Sequence, residues 1–373
     1  MGISKYAKSL FSRNMEDISL TLNGEAKTPI VVRYKDTDAI VFTLFAVDDK
    51  VSIHTSEIAD NFQSPFNPYI ERWDTIRSVI EEISIQSRDE NDEVTDWSER
   101  IPVLFGGYDN SRLLDEYDFL QHNFLTWRPQ IDYVVPGIKE QLSFVICNEG
   151  ADTNETYPEE TSRRIYAKIY FRSLAPTTKL LCEVNTDMSI YRLDCSYDHI
   201  ASLVAEEFDD EVVAYDIYGD TDADNGVVGI KPQRFVVRPQ TASNTYFFFQ
   251  NSLGGFDTII ATGELKTIAD GDNLTAMVRK TESEVYNGYV RSWEVNTGYI
   301  TTKQEENLWH EFLRSTNRYI LFDDGSYRKI IVEEYKAERV KLQMDSFTFK
   351  FHYSEAAKGG FAEKTEALPD FFL

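Results

Sequence analysis

Stretches in which apolar and polar residues alternate recur along most of this 373-residue chain, and they constrain its fold more than any other feature. In RRIYAKIYFRS, the residues Ile165, Ala167, Ile169 and Phe171 fall on every second position, which is the period of a half-buried β-strand. Aromatic residues make up 13% of the chain and favour pleated, half-buried surfaces. We therefore expect a mainly β fold, with β-sandwich or barrel-like domains and a few short helices. The other predicted strands are ISLTL, PIVVRY, AIVFTLFAV, KLLCEV, SIYRLD, EVVAYDIYG, QRFVVRP, TYFFFQN, SEVYNGYVRSWEVNTG, RYILF and YRKIIVEEY around an Asp324-Gly325 turn, and a closing strand along Leu342, Met344, Phe347, Phe349 and Phe351.

The clearest helix is predicted over residues 302–315. Thr302 and Glu305 have the spacing of a capping box, in which each side chain accepts a hydrogen bond from the backbone N–H of the other residue. An apolar stripe at helical spacing follows, formed by Leu308, Trp309, Phe312 and Leu313.

Three weaker helical patterns are present. Residues 74–86 place apolar side chains at i, i+3, i+4 and i+7 after Asp74, an N-cap residue type, and so predict a helix. The alternation at Ile83 and Ile85 also suits a strand. Residues 111–122 and 198–208 are each predicted to contain a short helix.

The chain is expected to divide at residues 148–162, a polar and acidic stretch that lacks apolar periodicity and is typical of a long surface loop or linker. We predict an N-terminal mixed, β-rich domain over residues 1–150 and a C-terminal β-rich domain over residues 160–355. Residues 356–373 form a C-terminal tail with an apolar end.

The charge of the chain excludes some classes of partner. With 63 acidic and 38 basic residues, the net charge of -25 repels phosphate backbones and anionic lipid surfaces, so we expect neither a nucleic-acid nor a membrane partner. The sequence contains no apolar run long enough to span a bilayer, and its first residues lack the apolar core of a secretory signal. Cys147, Cys182 and Cys195 are expected to be buried free thiols of a protein made in a reducing cytoplasm.

Sequence motifs for catalysis are missing. The chain has no P-loop, no G-x-S-x-G and no G-x-G-x-x-G. His310-Glu311 begins like the zinc motif H-E-x-x-H, but Arg314 stands where the second histidine is required. The histidines form no cluster in the sequence: His54, His122, His199, His310 and His352. We therefore predict no enzyme activity, no catalytic residues and no cofactor.

One acidic loop is a candidate cation site. In GDTDADNGVVGIK, Asp220, Asp222 and Asp224 match the first three ligand positions of an EF-hand. Asn225 replaces the required Gly, Lys231 replaces the bidentate Glu, and the flanks predict strands, so the loop is not an EF-hand. Either the three carboxylates converge on one hard cation in a β-loop, or the loop is a solvated acidic turn.

An aromatic run and the turn that follows it are the remaining candidates for a functional role. The run Tyr246-Phe247-Phe248-Phe249 is expected to form core on one face and a subunit contact on the other, with a sugar-binding platform as the alternative. Gly254-Gly255 permits a positive φ and therefore a sharp turn. Asn251 and Asp257 can fix that turn through hydrogen bonds to nearby backbone.

The string Asn251-Ser252-Leu253-Gly254-Gly255-Phe256-Asp257-Thr258 resembles a recurrent segment of tail or baseplate-type structural proteins from phages and prophages of gut Bacteroidetes. VRSWEVNTGYITTKQEENLWHEFLRST, and YILFDDGSYRKIIVEE with the Phe-rich strand after it, resemble the same group, so the resemblance covers roughly residues 165–355. It implies a virion structural protein in the tail tip or baseplate of a tailed phage, made in the host cytoplasm. It also implies assembly with itself, as a trimer or hexamer, and with other tail proteins. No catalytic residues come with it.

Two other functions stay open from the sequence. One is a receptor- or carbohydrate-binding module, which would depend on a cation if Asp220, Asp222 and Asp224 hold one. The other is a tail-associated hydrolase, for which the sequence shows no site.

Overall fold

The structure is a computed structural model. It describes residues 11–15, 17–21, 27–34, 37–45, 47–48, 50–60, 74–75, 81–88, 94–97, 101–104, 106–108, 116–145, 162–185, 190–220, 229–241, 243–278, 281–322, 324–336 and 346–354. Strands account for most of its secondary structure, which confirms the expected mainly β fold class.

The described elements are short helices set among many strands. The helices are a 3₁₀ turn at Ser12–Asn14, α1 Thr55–Asp60, α2 Glu116–His122, α3 Tyr197–Ser202 and α4 Lys303–Arg314. The strands are β1 Ile18–Thr21, β2 Lys27–Tyr34, β3 Thr37–Phe45, β4 Lys50–Ile53, β5 Asp74–Thr75, β6 Glu81–Arg88, β7 Val94–Trp97, β8 Ile101–Val103, β9 Ile131–Val134, β10 Gln141–Val145, β11 Ser162–Phe171, β12 Thr177–Asn185, β13 Ile190–Asp194, β14 Val212–Gly219, β15 Gln233–Val237, β16 Thr245–Gln250, β17 Phe256–Ala261, β18 Leu265–Val278, β19 Thr281–Asn296, β20 Arg318–Leu321, β21 Tyr327–Lys336 and β22 Thr348–Tyr353.

These strands form several sheets. Within the described ranges the sheet orders are β1-β4; β3-β2-β6-β7, with β8 also on β6; β10-β13-β5; β12-β11-β14-β15-β9; and β17-β16-β20-β21-β22-β19-β18. The pairing of β15 with β9 is parallel, whereas the neighbouring pairing of β14 with β15 is antiparallel. A parallel pair needs a long connection, and here the chain between β9 and β15 includes three further strands of the same sheet and two strands, β10 and β13, of another.

The five-stranded sheet around β11 buries the face that the sequence alternation predicts. Ile165, Ala167 and Ile169 have no exposed surface, and Phe171 is 7% exposed. These side chains pack in one cluster with Tyr215 and residues of β10, β13 and α3. Burial of each large apolar side chain contributes about 1.5–3 kcal/mol, so this face stabilises the sheet strongly.

The seven-stranded sheet has apolar cover on both faces at β16. Phe247 and Phe249 pack against α4 in one cluster, and Tyr246 and Phe248 pack in another cluster with Val135 and neighbouring residues. All four aromatic side chains are buried, which confirms the core expected on one face, whereas the subunit contact expected on the other face and the alternative of a sugar platform are wrong. The second face is covered by the chain's own segment between β9 and β10.

Helix α4 forms as its sequence predicts. The Thr302 hydroxyl accepts from the Glu305 N–H at 3.1 Å, and the Glu305 carboxylate accepts from the Thr302 N–H at 3.2 Å, which completes the capping box. The predicted stripe of Leu308, Trp309, Phe312 and Leu313 is buried against the seven-stranded sheet. The helix therefore covers the centre of the sheet with one face and leaves its polar face outward.

The prediction of a helix over residues 74–86 is wrong for the residues that the structure describes, and residues 76–80 lie outside them. Asp74–Thr75 is strand β5, and Glu81–Arg88 is strand β6, which pairs with β2 through Val32↔Ile85 and Tyr34↔Ile83. The segment is rich in Ile and Val, whose branched side chains lose rotamer freedom in a helix and suit a strand. The alternation at Ile83 and Ile85 was the stronger signal.

The two other short helices are confirmed in part. Helix α2 covers the second half of the predicted range 111–122, and residues 111–115 lie outside the described part. Helix α3 ends at Ser202, and turns occupy the following residues up to Glu207. Ile200 and Val204 still bury their side chains in the cluster under β11.

Strands from both sides of the predicted domain boundary share sheets. β9 pairs with β15, and β10 pairs with β13, so residues 131–145 belong to the same sheets as the C-terminal strands. Residues 148–161 lie outside the described part, and the boundary there stays a prediction, as does the tail at residues 356–373.

The hairpin β18–β19 is much longer than the sheet to which it belongs. The two strands pair from Leu265↔Val295 to Val278↔Thr281, whereas β19 pairs with β22 only through Trp293–Asn296. Beyond that point, residues 269–278 and 281–291 have no further strand neighbour in the described part of the chain. We call these residues the arm. At about 3.4 Å per residue, it extends roughly 35–40 Å as a two-stranded ribbon.

Among the described helices, none combines the length and the apolar character that crossing a bilayer would require.

Candidate functional site

Little of the acidic loop that the sequence singled out is described. Asp220 lies just after β14, where its backbone N–H donates to the Arg164 carbonyl at 2.9 Å. Asp222 and Asp224 lie outside the described residues. No group of three His, Cys, Asp or Glu side chains with metal-binding geometry is found in the ranges given above. The cation site at this loop therefore stays a prediction.

The turn after β16 has the geometry that its glycines and asparagine predict. Gly254 has φ +83°, in the left-handed region that favours glycine. The Asn251 side-chain oxygen accepts from the N–H groups of Leu253 and Gly255 at 3.0 and 3.1 Å. We call residues 251–255 the Asn251 turn. The amide nitrogen of Asn251 donates to the Asp257 carboxylate at 2.7 Å and to the Leu125 carbonyl at 2.8 Å.

The Asn251 turn is in tight contact with a distant part of the chain. The α-carbon of Gly255 approaches Leu125 so closely that a Cβ there would lie 2.2 Å from the Leu125 carbonyl oxygen. On its other side, the Gly107 N–H donates to the Ser252 carbonyl at 2.6 Å, and a Cβ on Gly106 would lie 2.6 Å from that same oxygen. Two segments of the predicted N-terminal domain therefore dock on one turn of the C-terminal sheet.

Asp257 joins this turn to a buried arginine. Its carboxylate accepts from Arg128 Nε at 2.8 Å and from the Thr126 hydroxyl at 2.7 Å. Arg128 also donates to Glu140 at 2.5 Å and to Asp132 at 3.3 Å. The side chains of Arg128 and Asp257 have no exposed surface, and that of Glu140 is 4% exposed. We call this group of one guanidinium and three carboxylates the Arg128 cluster.

Burial shifts the pKa values of the acids in the Arg128 cluster. Burial raises the pKa of Glu140 to about 7, against the opposing effect of the Arg128 charge. Burial also raises the pKa of Asp132, and the nearby acids raise the pKa of Arg128 well above its usual range. One cation cannot neutralise three acids, so holding a proton on Glu140 lowers the repulsion among the carboxylates.

A raised carboxyl pKa is often a feature of catalytic acids, but the Arg128 cluster is closed to substrate. Arg128, Glu140 and Asp257 are buried and hydrogen-bonded within the cluster, and the side chain of Asp132 is 20% exposed, so a reacting atom has no place beside Glu140 or Asp257. The cluster instead fixes the loop before β9, the start of β10 and strand β17 to one another. The sequence analysis identified Asp257 but not Arg128 or Glu140, because nothing local marks two charged residues that meet only in the folded chain.

The described cysteines are unsuited to thiol chemistry. Cys182 and Cys195 are buried free thiols, as predicted, and Cys147 lies outside the described residues. Burial raises the pKa of Cys182 to about 12 and raises that of Cys195 well above its usual range. Both therefore stay protonated at neutral pH, and a protonated thiol is a poor nucleophile.

An open cleft of about 950 Å³ lies beside the Asn251 turn. The polar face of α4 forms one wall, and the segments that carry Arg13, Tyr108 and Trp127 form the other. His310 and Glu311, which begin the incomplete zinc motif, line this cleft. The imidazole of His310 packs on the Phe347 ring with centroids 5.4 Å apart, and the Glu311 carboxylate accepts from the Ser252 N–H at 3.0 Å. Neither residue is arranged as a metal ligand.

Together these features define a mainly β protein whose buried charged groups tie sheets to one another and whose accessible polar groups line one side of a helix. No family model matches the chain, and no curated protein matches it either.

Proposed function

We propose that this chain is a virion structural protein of a tailed phage, in the tail tip or baseplate, and that it works through contacts between subunits. The arm carries the proposal. An isolated two-stranded ribbon is marginally stable in water, and each of its outer edges presents unpaired backbone N–H and C=O groups. A ribbon of this length gains stability when a neighbouring subunit covers it or adds a strand to it.

The site geometry supports a structural role. The Arg128 cluster and the Asn251 turn bring together segments more than a hundred residues apart, such as Thr126 and Asp257, and give no access to a substrate. The resemblance to tail and baseplate proteins runs through the same turn. The proposal therefore includes no enzyme activity, and its partners are copies of this chain and other tail proteins.

A closed ring of three or six copies is the assembly that we propose. Closed point groups satisfy every contact surface, whereas open arrangements leave contacts unused and continue to grow. An arm that reaches a neighbour on one side and receives a neighbour's arm on the other suits a ring.

Mass spectrometry of density-purified particles from a producing culture tests the virion role. The copy number is measured against the major capsid protein. We expect this chain in the particles at a low multiple of three or six copies. Absence from particles, with abundant protein in the soluble fraction, would falsify the proposal.

Deleting the arm tests the subunit contact separately. Residues 270–290 are replaced by a two-residue Asn-Gly turn that joins Ala269 to Arg291, which keeps the base of the hairpin on β22. Native mass spectrometry of the full chain should show an oligomer, and the variant should be monomeric with an unchanged circular dichroism spectrum in the near ultraviolet. An oligomer of the same size after the deletion would mean that the arm is not the contact.

A further inference from the structure

The cleft beside the Asn251 turn has a helical wall of regular polar composition. Gln304, Asn307, Glu311 and Arg314 line it and follow one another at three- or four-residue steps along α4. Residues at this spacing lie on one face of a helix. The opposite face of α4 is the buried apolar stripe, so packing against the sheet fixes the direction in which this polar face points.

The second wall of the cleft is held in place by hydrogen bonds to its neighbours. The Asn14 side chain accepts from the Tyr108 N–H at 2.7 Å and donates to the Tyr108 carbonyl at 2.9 Å. Trp127 Nε1 donates to the Ser252 hydroxyl at 2.8 Å. The Tyr108 backbone and the Trp127 indole are therefore positioned before any ligand arrives, and a preformed site loses less entropy on binding.

Charge in the cleft is opposite to that of the molecule. The chain carries 63 acidic and 38 basic residues, yet the cleft contains two arginines, Arg13 and Arg314, one on each wall. Glu311 is the single carboxylate among its described lining residues, and it accepts a hydrogen bond from the Ser252 N–H. Arginine matches a carboxylate group with two parallel hydrogen bonds, so this arrangement favours an anionic ligand.

The other lining groups indicate which anionic ligand fits. Gln250, Gln304 and Asn307 carry amides, and Ser315 and Thr316 carry hydroxyls. Amides and hydroxyls both donate and accept, which matches the hydroxyl groups of a saccharide. The described lining includes aromatic rings but no aliphatic side chain, and peptide recognition depends on apolar anchors in dry pockets.

We infer that this cleft binds an acidic oligosaccharide, one whose sugar units carry carboxylates. Arg314 pairs with a carboxylate, the amides of Gln304 and Asn307 form hydrogen bonds with hydroxyls, and Trp127 and Tyr108 offer aromatic surface to the sugar rings. The cleft volume of about 950 Å³ lies at the upper end of the range for small-ligand sites, so it accommodates more than one sugar unit. This site is separate from the arm and does not depend on the oligomeric state.

Calorimetric titration of the full chain tests the inference with a panel of acidic and neutral probes. The acidic probes are a galacturonic acid tetramer, a glucuronic acid disaccharide and sialyllactose; their neutral counterparts are a galactose tetramer, a glucose disaccharide and lactose. We expect at least one acidic probe to bind, and its neutral counterpart to bind roughly tenfold more weakly or not at all, since one charge-assisted pair changes affinity by about that factor.

Two cleft variants and one matched control locate the binding. Arg314→Ala and Asn307→Ala remove groups on the cleft face of α4, and Lys303→Ala removes a charge from the same helix outside the cleft. We expect Arg314→Ala to weaken binding roughly tenfold, Asn307→Ala to weaken it by less, and Lys303→Ala to leave it unchanged.

Three results would overturn the inference. The first is no binding by any acidic probe at 10 mM, on the order of the weakest affinity that calorimetry detects. The second is equal loss of affinity in Arg314→Ala and Lys303→Ala. The third is a glutamate tetrapeptide that binds as tightly as the best saccharide, because the cleft would then be a site for acidic peptides.

Discussion

Arg128 and Arg234 both bind carboxylates, and they do so in very different surroundings. The Arg128 side chain has no exposed surface and contacts three acids, whereas 42% of the Arg234 side chain is exposed and it contacts one. Arg234 donates to both oxygens of Asp216, at 2.6 and 2.7 Å, and the Tyr170 hydroxyl donates to the same carboxylate at 2.8 Å. The first arginine joins different sheets, and the second joins adjacent strands of one sheet.

The pKa values of Asp216 and Glu140, which pair with these two arginines, are shifted in opposite directions. Although partial burial opposes it, hydrogen bonds from Arg234 and Tyr170 lower the pKa of Asp216. In the Arg128 cluster, burial raises the pKa of Glu140 to about 7. An ion pair therefore stabilises the charged form of a carboxylate where one cation faces one acid near water. Where several acids are buried around one cation, the protonated form of one carboxyl group is stabilised instead.

Removing the buried arginine should have the largest effect. Arg128→Met leaves the buried carboxylates of Glu140 and Asp257 without a cation, and we expect it to lower the free energy of unfolding by about 3–5 kcal/mol. The matched control is Arg234→Met, for which the expected loss is about 1 kcal/mol or less because the pair is partly exposed. Urea denaturation of both variants measures the difference. Equal losses of unfolding free energy in Arg128→Met and Arg234→Met would mean that burial does not distinguish the two arginines.

The pH dependence of stability should reveal the proton on Glu140. A carboxyl whose pKa is raised on folding contributes stability at low pH that is lost as pH rises through the folded-state pKa. From pH 5 to pH 8, the unfolding free energy of the wild type should therefore fall by about 2–3 kcal/mol more than that of Glu140→Gln.

Urea denaturation across this pH range measures the effect, and Glu183→Gln, an exposed site on β12, serves as the control. Parallel pH profiles for the wild type and Glu140→Gln would mean that Glu140 is charged in the folded protein.

The smallest effect is expected at the partly exposed pair of Arg234 and Asp216, in which 42% of the arginine side chain and 10% of the aspartate side chain are exposed. A carboxyl whose pKa is lowered on folding contributes stability above its unfolded-state pKa, and that stability is lost as pH falls. Asp216→Asn should thus cost about 1 kcal/mol at pH 7, less at pH 3, and less again in 1 M salt because exposed charges are screened. Thermal unfolding at two salt concentrations checks this. A loss of stability that does not change with salt concentration would mean that the charge of Asp216 is shielded from solvent, as the buried charges of the Arg128 cluster are.

Local sequence patterns predicted helix α4 and many of the strands because each of those patterns is complete within a few residues, whereas β9, β10, β17 and β18 were not predicted. The alternation in β11 and the capping box of Thr302 and Glu305 need no distant partner. Residues 74–86 failed because their apolar spacing fits two periods, and pairing with β2 decided between them.

The candidate site was predictable only in part. Gly254, Gly255 and Asn251 predicted a turn, and the structure has a turn at these residues. The Arg128 cluster around Asp257 could not be predicted from the sequence, because the local patterns around Arg128 and Glu140 do not indicate that these residues meet. The cleft was missed for the same reason, because its two walls come from distant parts of the chain.

The distance in sequence between Arg128 and Asp257 also determines when during synthesis their ion pair can form. Asp257 follows Arg128 by 129 residues, whereas Glu140 follows it by 12. At about 5–20 residues per second, a ribosome delivers Glu140 within roughly 3 s and Asp257 only after roughly 6–26 s. Nascent chains that end before residue 257 lack the acceptor shared by Thr126 and Arg128. The link between the loop before β9 and strand β17 can therefore form only after residue 257 has been synthesised.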